Sequence, residues 1–242
     1  MHLLSQLDFN KILFLDIETV PAQPSFSSLS PQWQHLWEKK SKSILKENIS
    51  AADVYDRSAI YAEFGKVVCI CAGIITGYPQ NPILRLKSFY NDDESILLRE
   101  FADLLEVYFS TDRSRLCAHN GKEFDFPYLS RRMLVHGIKL PLMLDNAGKK
   151  PWEIAHLDTM ELWKMGDFKS YTSLELLANL FGIPTPKDDI DGSMVAQVYY
   201  RENNLKRIVD YCLKDVVTLC QLFLKMNNQA TISESSIIYP TH

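Results

Sequence analysis

The segment KILFLDIETVPAQP (11–24) constrains the fold more tightly than any other stretch of the chain. Its apolar run enters two acids and is cut off at once by Pro21 and Pro24, the flanks of a short buried strand rather than a helix. Side chains two apart in a strand share a face, so Asp16 and Glu18 project together while Ile17 turns the other way. Two neighbouring carboxylates repel each other. They are tolerated where a divalent cation that prefers hard oxygen ligands lies between them, or where one takes up a proton.

The remaining periodicity arranges itself around this strand. GKVVCICAGII (65–75) and ILRLKSFY (83–90) read as two strands joined by the turn GYPQNP. Asn91 or Asp92 caps a helix running to about Tyr108, RLCAHN (115–120) is the next strand, and a helix from about Phe126 to His136 stops at Gly137. EIAHLD (153–158) reads as a last short strand. Helices follow over SLELLANLF, from about Ser193, and from about Leu205 to Met226. Three strands, a helix, a strand, a helix and a strand predict an α/β protein: a mixed five-stranded sheet, antiparallel at its beginning and parallel at its end, flanked by helices. Residues 21–63 form a helical insertion in which Trp33, Leu36 and Trp37 fall near helical spacing. Those tryptophans either anchor the insertion to the sheet or stack on bases. The polar stretch 228–242 is expected to be loose.

With 242 residues, 46% of them apolar, the chain can bury one continuous core, and a single domain over 1–242 is expected. No window reaches about 18 uninterrupted apolar residues, so no membrane-spanning helix is expected. The start, MHLLSQLDFNK, lacks the character of a signal peptide, and five cysteines without CxxC spacing read as reduced core residues. Both point to the cytoplasm. A net charge of −4 leaves no overall basic footprint. A metal-bridged phosphate site is compatible with that, since its centre is acidic.

Two further places carry acids that can join the first pair. Asp125 follows Asn120-Gly121 at a strand end and opens the next helix, from which a carboxylate reaches the same end of the sheet. Tyr211 and Asp215 share one face of the long last helix, about 6 Å apart along its axis. An aspartate beside that helix's apolar stripe needs a partner, which favours a cation.

Asp16 and Glu18 on a first strand, Asp125 after a fourth and Tyr211 with Asp215 on a C-terminal helix resemble the residue set of the DnaQ-like 3′–5′ exonuclease superfamily, the DEDD group with tyrosine in its third motif. FLDIETVP, FGKVVCIC, AHNGKEFDFPYLSRRM, HLDTMELW, SLELLANLFGIPTPKDDIDGS and YCLKDVVTL are similar to stand-alone bacterial exonucleases related to the proofreading domain of family-B DNA polymerases. The resemblance covers about residues 11–226. It implies an RNase H-like fold and hydrolysis of nucleic acid from the 3′ end, of single-stranded DNA before RNA or short oligonucleotides. It implies two ions, Mg²⁺ or Mn²⁺, about 4 Å apart, held by Asp16, Glu18, Asp125 and Asp215, with Tyr211 orienting the attacking water. Ile17, Thr19, Asn120 and Phe124 are the implied substrate contacts, although Asn120 can instead brace its loop and Ile17 and Phe124 can be core. His119 reads as core or as support for the site, His156 and Asp158 as structural, and Lys187 with Gly192 and Ser193 as a turn that could face phosphate. A polymerase or repair partner would act in trans. A non-catalytic RNase H-like binding module, the reading from another class, predicts a damaged acid set, whereas all four acids are present.

Overall fold

The computed structural model describes residues 7–167, 171–184 and 190–240. Its first strand, β1 (Ile12–Pro21), is longer than the apolar run, because pairing with β2 (Gly65–Thr76) continues past a register shift between Glu18 and Thr19 and ends only at Pro21 opposite Gly65. β2 pairs antiparallel with β3 (Ile83–Tyr90), while β4 (Arg115–Ala118) and β5 (Leu157–Asp158) run parallel to β1 on its other side. The order β5-β4-β1-β2-β3 with those directions is the RNase H-like mixed sheet.

Residues of β1 alternate between two cores. Leu13, Leu15 and Ile17 face α2 (Glu94–Tyr108) and α3 (Asp125–Val135). Phe14 and Val20 face the opposite way, toward α6 (Val195–Tyr200) and the long α7 (Leu205–Met226). Asp16 and Glu18 fall between them on this second face. The insertion contains α1 (Pro31–Ser41) and a 3-10 turn at Tyr55–Ile60. Trp37 is fully buried against Tyr55, Tyr61 and Phe64 and donates from Nε1 to the Ala51 carbonyl at 2.8 Å, so it anchors the insertion.

Three expectations change. The N-cap of α2 is Asp93, whose carboxylate accepts from the Ser95 amide, while Asn91 accepts from Asp93 one step earlier. A short helix, α4 (Thr159–Lys164), follows β5 directly because Asp158 caps it, and α5 (Leu174–Leu180) comes next. Among its described residues the polar tail is anchored at two points rather than loose: Ile232 and Ile237 are buried, and Ile237–Ile238 form β6, a sixth strand parallel to the edge of β3. Composition misled there, because only alternate residues of an edge strand need be apolar.

Candidate active site

β1 places Asp16 opposite Cys71 and Glu18 opposite Cys69 in the antiparallel register with β2. Cys69 and Cys71 therefore point to the same face as the acids, with their sulfurs 3.6 Å apart. Cys212 of α7 meets them there and donates through Sγ to the Asp16 backbone carbonyl at 3.4 Å. Three small side chains at this crossing let α7 approach the sheet closely. Tyr211 and Asp215, on the flank of the same helix, are thereby carried to the end of β1.

The fourth acid arrives through a loop. After β4, Asn120 adopts a left-handed conformation (φ 64°). At Gly121 a Cβ would stand 2.3 Å from the Ala118 Cβ, so only glycine fits. The buried Asp158 carboxylate ties this loop to the start of α4, accepting from the amides of Asn120 (3.0 Å), Lys122 (3.1 Å), Met160 (2.9 Å) and Glu161 (3.2 Å). α3 can then begin at Asp125, which is 3% exposed. Asn120 braces the loop through its backbone, whose carbonyl accepts from Glu123 and Phe124, while its side-chain Oδ1 is buried with no hydrogen-bond partner among the described residues.

All nine predicted site residues, Asp16, Ile17, Glu18, Thr19, Asn120, Phe124, Asp125, Tyr211 and Asp215, line one cleft of about 690 Å³. Burial, then the neighbouring acids and thiol, push the carboxyl groups of Asp16 and Glu18 well above the usual range. Asp125 is raised to about 7, chiefly by burial. Burial and the carboxylates of Asp215, Glu18 and Asp16 raise the Tyr211 phenol, as does its hydrogen bond to Asp215. Four carboxyl groups crowded into one cleft are the donor set of hard divalent cations such as Mg²⁺ and Mn²⁺. The adjacent Cys212 thiol is held neutral by burial and offers such an ion a poor ligand.

Residues 59–237 match a family described as a predicted 3′–5′ exonuclease related to the exonuclease domain of PolB. The chain belongs to this family. It is a 3′–5′ exonuclease, a phosphodiester hydrolase. Among curated relatives it is 26% identical over 130 residues to a DNA polymerase of Pyrococcus glycovorans and 26% identical over 131 residues to DNA polymerase 1 of Pyrococcus abyssi. Each match takes in 49% of this chain but only 16% and 17% of the two polymerases. Of solved structures, the family B DNA polymerase from the archaeon Pyrobaculum calidifontis gives a TM-score of 0.48 at 18% identity, over 91% of this chain and 26% of that one. The RNase domain of the yeast Pop2 protein gives 0.41 at 13% identity, over 98% and 83%. The family match contains Asp125, Tyr211 and Asp215 but begins after Asp16 and Glu18, which β1 delivers to the same cleft.

Other residues of this exonuclease's cleft carried no sequence signal. Arg57 and Ile60 of the insertion's 3-10 turn and Tyr171 line it, yet none stands on a periodic element. Ser193 lines it too, its hydroxyl and amide turned onto Asp191 in a capping turn. His119 is occupied: Nε2 donates to the Thr172 carbonyl and Nδ1 shares a hydrogen bond with the Thr159 hydroxyl, each at 2.8 Å. His156 is structural, accepting the Leu116 amide on Nδ1 and donating from Nε2 to the Met143 carbonyl. Lys187 lies outside the described residues. Among the described residues no helix is long and apolar enough to cross a membrane.

Proposed function

We propose that this exonuclease hydrolyses single-stranded DNA from its 3′ end, releasing nucleoside monophosphates, with two divalent ions, Mg²⁺ or Mn²⁺, bound by Asp16, Glu18, Asp125 and Asp215. The observation that carries the reading is the convergence of those four carboxyl groups, two of them buried, from β1, α3 and α7 on one open cleft. Without cations the cluster is electrostatically unfavourable, as its raised pKa values express. Asp16, Glu18 and Asp215 would hold one ion, and Asp16 with Asp125 the other. Bound there, such ions acidify a water and spread the negative charge that builds on the phosphate during hydrolysis.

The chain's own groups do the positioning. The Tyr211 phenol stays protonated at neutral pH, because burial and three carboxylates oppose its ionisation. It serves to orient the attacking water rather than to take its proton. The buried Oδ1 of Asn120, without a partner among the described residues, needs a donor, and the 3′-hydroxyl of a terminal nucleotide supplies one. Phe124, half-buried and tilted against Tyr128, and Ile17 offer apolar contact to the terminal base. Thr19 borders the same end of β1. The DNA polymerases among the relatives favour DNA as the substrate.

The test is a time course on 5′-labelled DNA and RNA strands of one sequence, with Mg²⁺, Mn²⁺ or EDTA. A metal-dependent ladder shortening from the 3′ end, faster on DNA, is the expected result. Faster shortening of RNA would reassign the substrate, and no shortening of either strand would overturn the reading.

A further inference from the structure

Arg57 is the one lysine or arginine among the described residues that lines the cleft. The basic clusters at Lys39-Lys40, Arg131-Arg132, Lys149-Lys150 and Lys206-Arg207 stand elsewhere. Arg132, for example, is committed to the buried Glu94 carboxylate at 2.6 Å. Arg57 is exposed and makes no ion pair with any described residue. Five carboxyl residues line the same cleft, Asp16, Glu18, Asp125, Asp215 and its own neighbour Asp56, and Arg57 forms an ion pair with none of them, so a structural ion pair does not explain it.

Its mounting is rigid. Tyr55 and Ser58, on either side of Arg57 in the 3-10 turn, are buried, and Tyr55 packs against the edge of Trp37. Tyr128 donates its hydroxyl to the Ala59 carbonyl at 2.8 Å. At Gly65 a Cβ would come within 2.3 Å of the Tyr128 hydroxyl and 2.7 Å of the Ala59 carbonyl, so β2 presses directly on the turn. Tyr171, 71% exposed, lines the same cleft, and the next residue is held by His119. An acidic floor is thus bordered by an exposed arginine on a well-packed turn and by an exposed aromatic ring.

We propose that Arg57 binds a phosphodiester on the 5′ side of the terminal nucleotide and that Tyr171 stacks on an unpaired base, so that the insertion is a substrate-holding wall for a single strand several nucleotides long. The proposal rests on the exonuclease reading of the cleft. A guanidinium matches phosphate geometry, and stacking on an exposed ring needs a base free of its partner strand. The scissile phosphate already has the acidic floor and its ions, which leaves Arg57 for a neighbouring phosphate.

The experiment is fluorescence anisotropy of a 5′-fluorescein oligothymidylate with Ca²⁺ replacing Mg²⁺ to hold back cleavage, repeated across a salt series. Arg57→Ala should weaken binding about tenfold and flatten the plot of log affinity against log salt by about 0.7, the share of one phosphate on a single strand. Arg57→Lys should restore the slope. Tyr171→Ala should weaken binding about tenfold with the slope unchanged. Arg57→Ala protein with wild-type affinity and slope overturns the proposal, as does a loss of affinity without a change of slope. Wild-type protein that binds the strand yet never shortens it in Mg²⁺ refutes the exonuclease reading while leaving the Arg57 result standing. Protein that binds no strand refutes both.

Discussion

The four carboxyl groups stand on β1, α3 and α7, whereas Arg57 and Tyr171 stand on segments between regular elements. The acids are placed by sheet register and by the close crossing of α7 over Cys69, Cys71 and Cys212. They cannot move without disturbing the core. The Arg57 side of the rim is held by a separate aromatic cluster of Trp37, Tyr55 and Phe64, and the Tyr171 side by the hydrogen bond from His119 to the Thr172 carbonyl. The floor therefore concentrates charge at a cost to folding, while the rim places an exposed arginine and an exposed aromatic ring on segments packed separately from it.

The floor should separate activity from stability. Asp16→Asn should cut the hydrolysis rate by about 10³-fold or more, equivalent to at least ~4 kcal/mol of transition-state stabilisation. The same change should raise the melting temperature of the metal-free protein, because it removes a negative charge whose burial is opposed. A variant that keeps its rate, or that melts earlier without metal, removes Asp16 from the charged floor.

The second test is pH. The Asp125 carboxyl, ordinarily ionising near pH 4, is held at about 7 in the folded protein. Below about pH 4 both folded and unfolded states carry the proton. Above it the unfolded chain ionises first, so this group's contribution lowers metal-free stability as pH climbs to about 7, by about 2–4 kcal/mol in all. His156, depressed to about 4 by burial, acts with the opposite sign below about pH 6.5. The readout is therefore the difference between wild type and Asp125→Asn in chelator, from denaturant midpoints at pH 5 and pH 7.5. The variant's advantage should be greatest at pH 7.5, and added Mn²⁺ should narrow the gap by stabilising wild type, which keeps both ion sites, more than the variant, which keeps one. A difference independent of pH would mean that Asp125 is ionised throughout.

Much of the floor was legible because strand and helix spacing fixes direction. Asp16 and Glu18 two apart, and Tyr211 and Asp215 four apart, can each point only one way once their elements are known. The crossing beneath them was not legible. Cys69, Cys71 and Cys212 look like ordinary core residues until the register sets them opposite the acids. Asp158 read as structural, and it is, but which structure it holds was not legible: its four amide contacts set the loop that delivers Asp125. Nothing in a single sequence tells that a strand-end acid will cap a helix and brace a distant loop at once. Arg57 was invisible for a simpler reason: a 3-10 turn has no extended periodicity, and its neighbour Tyr55 is buried by an aromatic cluster with Phe26, Trp37 and Phe64 that no regular spacing announces.

Tyr211 tests the floor at finer scale. Tyr211→Phe keeps the ring that packs against the core and removes the hydroxyl alone. The rate should fall about tenfold to a hundredfold, the range that misplacing a reactant produces. Metal affinity, measured by Mn²⁺ titration calorimetry, should change by less than about threefold, since the four acids remain. Loss of metal binding in this variant would make the phenol a structural part of the ion site instead of a guide for water.

The smallest effect is expected where the molecule is neither floor nor rim. Gln221 on α7 is buried and holds the tail with both arms of its amide: Nε2 donates to the Ile232 carbonyl at 2.7 Å, and Oε1 accepts from the Ile232 amide at 2.9 Å. Gln221→Ala strands both backbone groups, which costs about 1–3 kcal/mol and should lower the melting temperature by about 2–12 °C for a chain of this size. The loss should be local first. β6 pairs with β3 over only Leu84–Ile237 and Arg85–Ile238, so the amides of Ile237 and Ile238 should exchange with solvent at least about tenfold faster while those of α3 stay protected. Gln221 lies outside the cleft, and hydrolysis of a DNA strand should stay within about twofold of wild type. A larger fall in rate would show that the tail supports the far end of α7 firmly enough to position Tyr211 and Asp215, and would tie a region that looked dispensable to the acidic floor.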